Sequence, residues 1–348
     1  MSNWNSRTKL FKRLSLSKVS SSVSTTATQI GLGFAEKTSY VGLIAGSLAG
    51  QSVSTLILGA QIWRDDRKLI GKSLSWRKIY EGFKRYSKFP LIDTWSALMN
   101  TVSWQLPAFI LAAFFEPAIV GFYSLGFRLL QLPMNLIGGS ISQVFFQRAS
   151  RALSEGTLPS LVENVFRILV IIGMFPILIL TIVGSDVFTV IFGKAWAEAG
   201  VYTQILGLLA FVWFISSPLS TIYLVVEEQH FGFQYNFFNL TTRLVSLTIG
   251  GLLGSARMAL ILFSISGIFV YGYLCLKMIF YSGVKTSRAL KIVFSNFILF
   301  VPAGSVLVAL KINQILLVVC SGLVICIYYL YILKTDSQVK KIMSELRN

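Results

Sequence analysis

Long apolar blocks separated by short polar stretches occupy nearly the whole chain. A helix needs about 20 mostly apolar residues to cross the hydrocarbon core of a bilayer. Blocks suited to about ten spans occur at residues 19–35, 39–62, 89–114, 118–146, 163–183, 201–225, 232–254, 258–281, 289–310 and 312–333. The first of these is rich in serine and threonine and is too polar to be a span on its own. The pattern therefore predicts an all-α, polytopic membrane helical bundle.

Composition supports the same class of protein. Hydrophobic residues make up 54% of the chain and charged residues only 13%, and the mean hydropathy is +0.70. Soluble domains carry about a quarter charged residues. The net charge of +17 comes from lysines and arginines concentrated in alternate loops and at both ends, which is the positive-inside pattern of membrane proteins. We therefore expect both termini in the cytoplasm and no binding of nucleic acid.

Residue types needed for catalysis or metal binding are sparse. Cys275, Cys320 and Cys326 lie in apolar segments without metal-like spacing, and His230 is the only histidine. Metal and catalytic sites need several such groups together. The sequence predicts no catalytic residue, no metal, no cofactor and no enzyme activity.

Two neighbouring spans combine length with polar stripes. Polar residues share one face of span 118–146 at helical spacing: Ser124, Arg128, Gln131, Asn135, Gly138 and Ser142. Asp93, Ser96, Asn100 and Ser103 do the same on span 89–114. Polar groups facing lipid would cost several kcal/mol each. These stripes are therefore predicted to face a protein interior or a watery cavity.

The same two spans carry a motif, FPLxxxxxxLxNxxSxQLPxxILxxFFxPxxVGFYSLxxRLLQLPxNLIxxxISQVFFxR, from Phe89 to Arg148. It resembles the seventh and eighth helices of the polysaccharide-export and oligosaccharide flippases of the O-antigen or exopolysaccharide translocase type. These belong to the multidrug/oligosaccharidyl-lipid/polysaccharide exporter superfamily. A second patch, FGKAWAEAG at 192–200 followed by SPLS at 217–220, is also similar to that family. The resemblance extends over roughly residues 10 to 285.

The resemblance implies a fold of two six-helix lobes, often followed by two extra helices. Residues 1–88 would be the remnant of the N-terminal lobe, with two helices and basic loops. Residues 89–285 would form the C-terminal six-helix lobe, and 286–348 two additional helices and a cytoplasmic tail. The first four helices of the family pattern are then absent, and the chain is expected to be a truncated protein, a fragment, or half of a complex.

Candidate substrate-binding residues follow from the stripes. Arg128 lies about 15 Å along its helix, near the middle of a ~30 Å bilayer core. Either it binds the pyrophosphate of a lipid carrier or an acidic sugar, or it pairs with Asp93. Asp93 itself either couples transport to an ion or is structural. On span 232–254, Arg243 lies in a polar stripe that contacts either substrate or neighbouring helices. The predicted substrate-binding set is Arg128, Gln131, Asn135, Asn100, Asn239 and Arg243.

The predicted function is the flipping of a polyprenyl-pyrophosphate-linked oligosaccharide across the bacterial inner membrane, by alternating access, for the assembly of surface polysaccharide. The expected partners are the lipid-linked oligosaccharide, membrane lipids, and either other polysaccharide-assembly proteins or a chain that supplies the missing helices. Three alternatives remain open at this stage: a drug or metabolite exporter of the same superfamily, a membrane enzyme of glycan assembly, and a non-transporting remnant.

Overall fold

The computed structural model describes residues 11–35, 39–73, 75, 81, 88–135, 139–309 and 314–335. Within these ranges the regular structure is entirely helical, which confirms the all-α prediction. The α-helices are α1 (Phe11–Ala35), α2 (Ser39–Ser73), α3 (Lys88–Phe114), α4 (Pro117–Pro133), α5 (Gly139–Ser154), α6 (Leu158–Phe192), α7 (Ala197–Ser216), the single turn α8 (Ile222–Val225), α9 (Gln229–Leu252), α10 (Ala256–Tyr281), α11 (Thr286–Ala309) and α12 (Gln314–Thr335).

The protein is a multi-pass membrane protein. In the described ranges, six helices are long and apolar enough to span a bilayer: Val41–Asp65, Leu158–Phe192, Lys194–Val225, Ala256–Tyr281, Thr286–Ala309 and Gln314–Thr335. Leu98–Phe114 is a shorter apolar helix. The described residues of the other predicted spans are also helical; of their helices, α4 has only 17 residues. The predicted total of about ten spans stays a prediction.

The chain divides into two compact units, Met1–Lys88 and Phe89–Asn348. In the first unit, α1 and α2 form an antiparallel helical hairpin. Gly42, Gly46 and Gly50 face α1, and a Cβ added at Gly50 would fall 2.8 Å from the carbonyl oxygen of Ser21. Small residues at this spacing let two backbones approach closely, so the hairpin depends on the absence of side chains there.

The second unit is built around α6 and α7, which pack along each other and carry much of the buried apolar core. Helix α7 also packs on α4 and α10, and α9 packs on α10. Two close approaches fix α7: a Cβ at Gly126 of α4 would lie 2.7 Å from the carbonyl oxygen of Ala199, and one at Gly184 of α6 would lie 2.8 Å from that of Gly200. These contacts place α4, α6 and α7 side by side.

The structure interrupts one predicted span and describes another only in part. In span 118–146, α4 ends at Pro133, π-helical backbone continues to Asn135, and α5 begins at Gly139; residues 136–138 lie outside the described residues. Span 201–225 breaks after Ser216 into a 3-10 turn, Pro218–Thr221. Proline has no backbone N–H and clashes with the carbonyl four residues earlier. At Pro218 the apolar pattern continues through the proline although the helix does not.

Helices α11 and α12 pack on α6. The hydroxyls of Tyr328 and Tyr329 on α12 donate hydrogen bonds of 2.9 and 2.7 Å to the carbonyl oxygens of Ile171 and Ile172. Pro176 follows Ile172 by four residues, so the Ile172 carbonyl has no helical N–H donor. A tyrosine hydroxyl supplies the donor that the proline removes.

Candidate functional site

The polar stripe of α4 borders a cavity of ≈ 410 Å³ in the second unit. Its lining residues come from α3, the end of α4 and the end of α7: Trp104, Gln131, Met134, Asn135, Trp213 and Ser217. Gln131 and Asn135 are spaced by one helical turn and so share a face of the chain leading out of α4. The cavity thus combines two indole rings with two amides and a hydroxyl, and none of the described residues that line it is charged.

Aromatic packing fixes the apolar wall of this cavity. The rings of Trp104 and Trp213 lie 4.8 Å apart between centroids, and Phe127 lies 6.1 Å from Trp104 and 6.4 Å from Trp213. Tyr123 stacks on Phe127 at 5.5 Å. Aromatic pairs in this distance range contribute about 0.5–1.5 kcal/mol beyond their burial. One aromatic cluster from α3, α4 and α7 therefore supports both indole walls.

Arg243 of α9 lies behind this wall rather than in the cavity lining. It is 2% exposed, and its guanidinium carbon lies 4.9 Å from the centre of the Trp104 ring. One terminal nitrogen donates a 2.7 Å hydrogen bond to the carbonyl oxygen of Ser103, and the other donates at 2.6 Å to the hydroxyl of Tyr271. Cation–π contacts of desolvated arginines contribute about 2 kcal/mol. Arg243 thus joins α9, α10 and α3 next to Trp104.

The carbonyl that Arg243 binds is one that α3 itself cannot satisfy. Pro107 lies four residues after Ser103 and has no N–H to donate to it. In a membrane protein an unsatisfied backbone carbonyl costs several kcal/mol. The guanidinium fills this position with a charge-assisted hydrogen bond, which is stronger than a neutral one.

The predicted site residues fall into separate groups in the structure. Gln131 and Asn135 line the cavity. Arg128 is exposed on α4, one turn before Gln131, and Asn100 is exposed on α3, one turn before Trp104. Asn239 is 2% exposed and lies one turn before Arg243 on α9, away from the cavity lining. The side chain of Asp93 lies outside the described residues, so its pairing with Arg128 and its role in ion coupling stay predictions.

Sequence reasoning overlooked the aromatic part of the site. Trp104 follows Asn100 by one turn and lies next to Ser103, both members of the predicted polar stripe. Trp213 lies one turn before Ser217, which begins the SPLS patch. An indole adjacent to a polar stripe was therefore the available signal, but the stripe was assembled from polar residues alone.

A second contact fixes the other end of the bundle. The Arg257 guanidinium at the start of α10 donates bonds of 2.8 and 2.6 Å to the two carboxylate oxygens of Glu198 at the start of α7. Such bidentate pairs are geometrically specific. Glu198 belongs to the FGKAWAEAG patch, so this part of the motif contributes to holding α7 and α10 together.

Comparison with known proteins decides the family. A family model described as "Polysaccharide biosynthesis protein" matches residues 2–201, more than half of the chain. The chain belongs to this family. The matched region includes α3, α4 and the FGKAWAEAG patch, and the family confirms the resemblance indicated by the sequence motifs. A search of curated protein sequences found no match.

Among solved structures, this polysaccharide biosynthesis protein is similar to "Lipid II flippase MurJ, inward closed conformation". The TM-score is 0.70 at 16% sequence identity, and the match covers 95% of this chain and 69% of the MurJ chain. The comparison shows that the two proteins share a polytopic helical membrane fold.

Proposed function

We propose that this protein flips a lipid-linked oligosaccharide across the bacterial inner membrane during assembly of a surface polysaccharide. The cavity between α3, α4 and α7 takes sugar units of the substrate. Its lining of two indoles, two amides and a hydroxyl is the observation that carries the proposal. The family and the shared fold with a lipid flippase support it.

The cavity chemistry suits a hydroxylated ring. The faces of a pyranose that carry C–H groups are apolar and pack on indole rings, as at other ligand sites lined by aromatic side chains. Hydroxyl groups at the ring edge both donate and accept, and so do the amides of Gln131 and Asn135 and the hydroxyl of Ser217. A cationic drug would instead favour a carboxylate, and none of the described lining residues has one.

Arg128 suits the charged part of the same substrate. It lies one turn from Gln131 on α4, its side chain is exposed, and a guanidinium binds phosphate oxygens in a bidentate manner. The carrier pyrophosphate would contact Arg128 while the first sugars occupy the cavity. Alternating access would then reorient the site, with no covalent chemistry and with Asp93 as the proposed ion-coupling group.

The test is transport by the purified full chain in liposomes, using a fluorescent polyprenyl-pyrophosphate oligosaccharide and a membrane-impermeant quencher. Trp104→Leu removes one indole wall and is expected to lower the flipping rate at least about fivefold. A ring stacked on an aromatic side chain, as measured for nucleic-acid bases, contributes about 1–3 kcal/mol, which corresponds to about 5- to 150-fold. Trp95→Leu is the matched control, because Trp95 lies on the same helix and is 60% exposed. It should flip at the wild-type rate.

Two outcomes would overturn the proposal. One is equal flipping by wild-type protein and protein-free liposomes, which would exclude a flippase that works as this single chain. The other is flipping by Trp104→Leu at the wild-type rate, which would place the sugars elsewhere. Arg128→Gln tests the contact with the charged pyrophosphate separately from the contacts with the sugars. It should slow the flipping of the pyrophosphate-linked substrate while leaving the fold intact.

A further inference from the structure

A second cavity, of ≈ 320 Å³, lies where α5 turns into α6. Its lining combines two arginines of α5 with polar residues from the start of α6: Arg148, Arg151, Ala152, Glu155, Thr157, Ser160, Leu161 and Asn164. It shares no lining residue with the cavity between α3, α4 and α7, so it is a separate feature of the molecule.

The turn between α5 and α6 holds this cavity in a fixed shape. Gly156 has a φ of 70°, a conformation that glycine adopts at little cost at the end of a helix. Its N–H bonds to the carbonyl of Leu153 at 3.3 Å, and the N–H of Thr157 bonds to the carbonyl of Ala152 at 2.9 Å. This is the Schellman pattern of helix termination. It sets the two arginines beside the first turns of α6.

Helix α5 presents three different faces. Phe145, Ala149 and Ala152 are buried, while Phe146 and Leu153 are exposed, and Arg148 and Arg151 lie on the side of the cavity. Such a helix, with a basic side and an exposed apolar side, is typical of the membrane interface. Since α6 is one of the apolar spans, the cavity lies where a span meets the headgroup region.

The charge at this end of the helices is basic. Two guanidinium groups and one carboxylate, Glu155, line the cavity. In the described part of the chain, no salt bridge is recorded at Arg148 or Arg151. Close by, Arg288 of α11 pairs with Glu163 of α6 at 3.3 Å, so the nearest acidic side chain of α6 already has its own partner.

We propose that this cavity binds the phosphate of an anionic membrane lipid, with Arg148 and Arg151 on the phosphate oxygens and the acyl chains along Phe146 and Leu153. Thr157 provides a hydroxyl donor at the start of α6, whose helix dipole also favours an anion. The exposed apolar residues distinguish a lipid from free phosphate, since only a lipid has chains to cover them.

The experiment is native mass spectrometry of the detergent-solubilised full chain, titrated with phosphatidylglycerol or with phosphatidylcholine. One phosphatidylglycerol is expected to bind at least about tenfold more tightly than phosphatidylcholine. Arg148→Gln with Arg151→Gln should remove that preference, because each basic residue near an anionic headgroup contributes about fivefold. The control pair, Lys285→Gln with Lys291→Gln, removes the same charge from two exposed positions, one in the turn before α11 and one within α11, and should retain the preference.

Two further measurements complete the test. Phe146→Ser with Leu153→Ser should weaken the binding of phosphatidylglycerol at least about threefold while leaving the binding of inorganic phosphate unchanged. Displacement of the lipid by submillimolar inorganic phosphate would instead assign the cavity to a free anion and overturn the lipid assignment. Equal lipid preference in the Arg148/Arg151 variant and in the control pair would show only general attraction to a basic surface, and would overturn the site itself.

Discussion

The carbonyl of Ser103 binds a guanidinium because Pro107, one turn further along α3, has no N–H. This pairing explains why an arginine is stably buried in the second unit without a recorded salt bridge among the described residues. Its charge is delocalised over a planar group that donates to Ser103 and Tyr271 and lies over Trp104. Arg243 therefore acts on the cavity through Trp104, as a positioning residue.

A double-mutant cycle tests this pairing. Arg243→Met leaves the Ser103 carbonyl without a donor, which costs about 1–3 kcal/mol. Pro107→Ala restores a backbone N–H that can take the place of the guanidinium. We expect the loss of stability on Arg243→Met to be smaller in the Pro107→Ala background by about 1–2 kcal/mol, measured by denaturation in detergent micelles.

Tyr271→Phe provides the comparison for this cycle. It removes the other hydrogen bond of Arg243 and has no relation to the proline, so its effect should add to that of Pro107→Ala within about 0.5 kcal/mol. Strict additivity of Arg243→Met with Pro107→Ala would show that the guanidinium does not substitute for the missing N–H.

A single glycine sets the distance between the two helices that carry the cavity. A Cβ at Gly126 would lie 2.7 Å from both the Ala199 carbonyl oxygen and the Thr203 hydroxyl. Gly126→Val should push α4 from α7, lower stability by about 1–3 kcal/mol, and slow transport. Gly121→Val on the same helix meets nothing within 4 Å and should leave the melting temperature and transport unchanged. Similar behaviour of the two variants would contradict the close α4–α7 approach.

At the scale of elements, α12 is held to α6 by hydroxyls that donate to carbonyls near Pro176. Losing both hydroxyls in Tyr328→Phe with Tyr329→Phe should cost about 1–3 kcal/mol, since two buried carbonyls each lose a donor. The measurement is thermal unfolding in detergent micelles. Tyr331→Phe is the control. Tyr331 is 51% exposed, so the loss of its hydroxyl should change stability by less than about 0.5 kcal/mol.

Most helices could be predicted from the sequence because length and hydropathy suffice for spans. Predicted spans 163–183 and 258–281 correspond to Leu158–Phe192 and Ala256–Tyr281. Breaks were harder to predict, since the apolar pattern of span 201–225 runs on through Pro218, whereas α7 ends before it at Ser216.

The site was only partly predictable, for a physical reason. A polar stripe states which face of a helix avoids lipid, and this placed Gln131 and Asn135 at the cavity. It cannot distinguish a polar group that meets a cavity from one that meets another helix. Arg243 and Asn239 satisfied the same pattern and lie buried in helix packing instead. Tertiary contacts across α3, α9 and α10 decide between the two, and a periodicity on one helix contains no information about them.

At the scale of the whole molecule, the distribution of lysine and arginine predicts the orientation in the membrane. The loop before α7, which contains Lys194, should be external, and the turn before α11, which contains Lys285, should be cytoplasmic. In a variant with Cys275, Cys320 and Cys326 replaced by serine or alanine, we expect Lys194→Cys to react with an impermeant thiol reagent in intact cells. Lys285→Cys should react only after the membrane is permeabilised. Both positions are exposed, so burial does not confound the result. The reverse pattern would invert the orientation and place the Arg148/Arg151 cavity at the external surface, where it would meet lipids of the other leaflet.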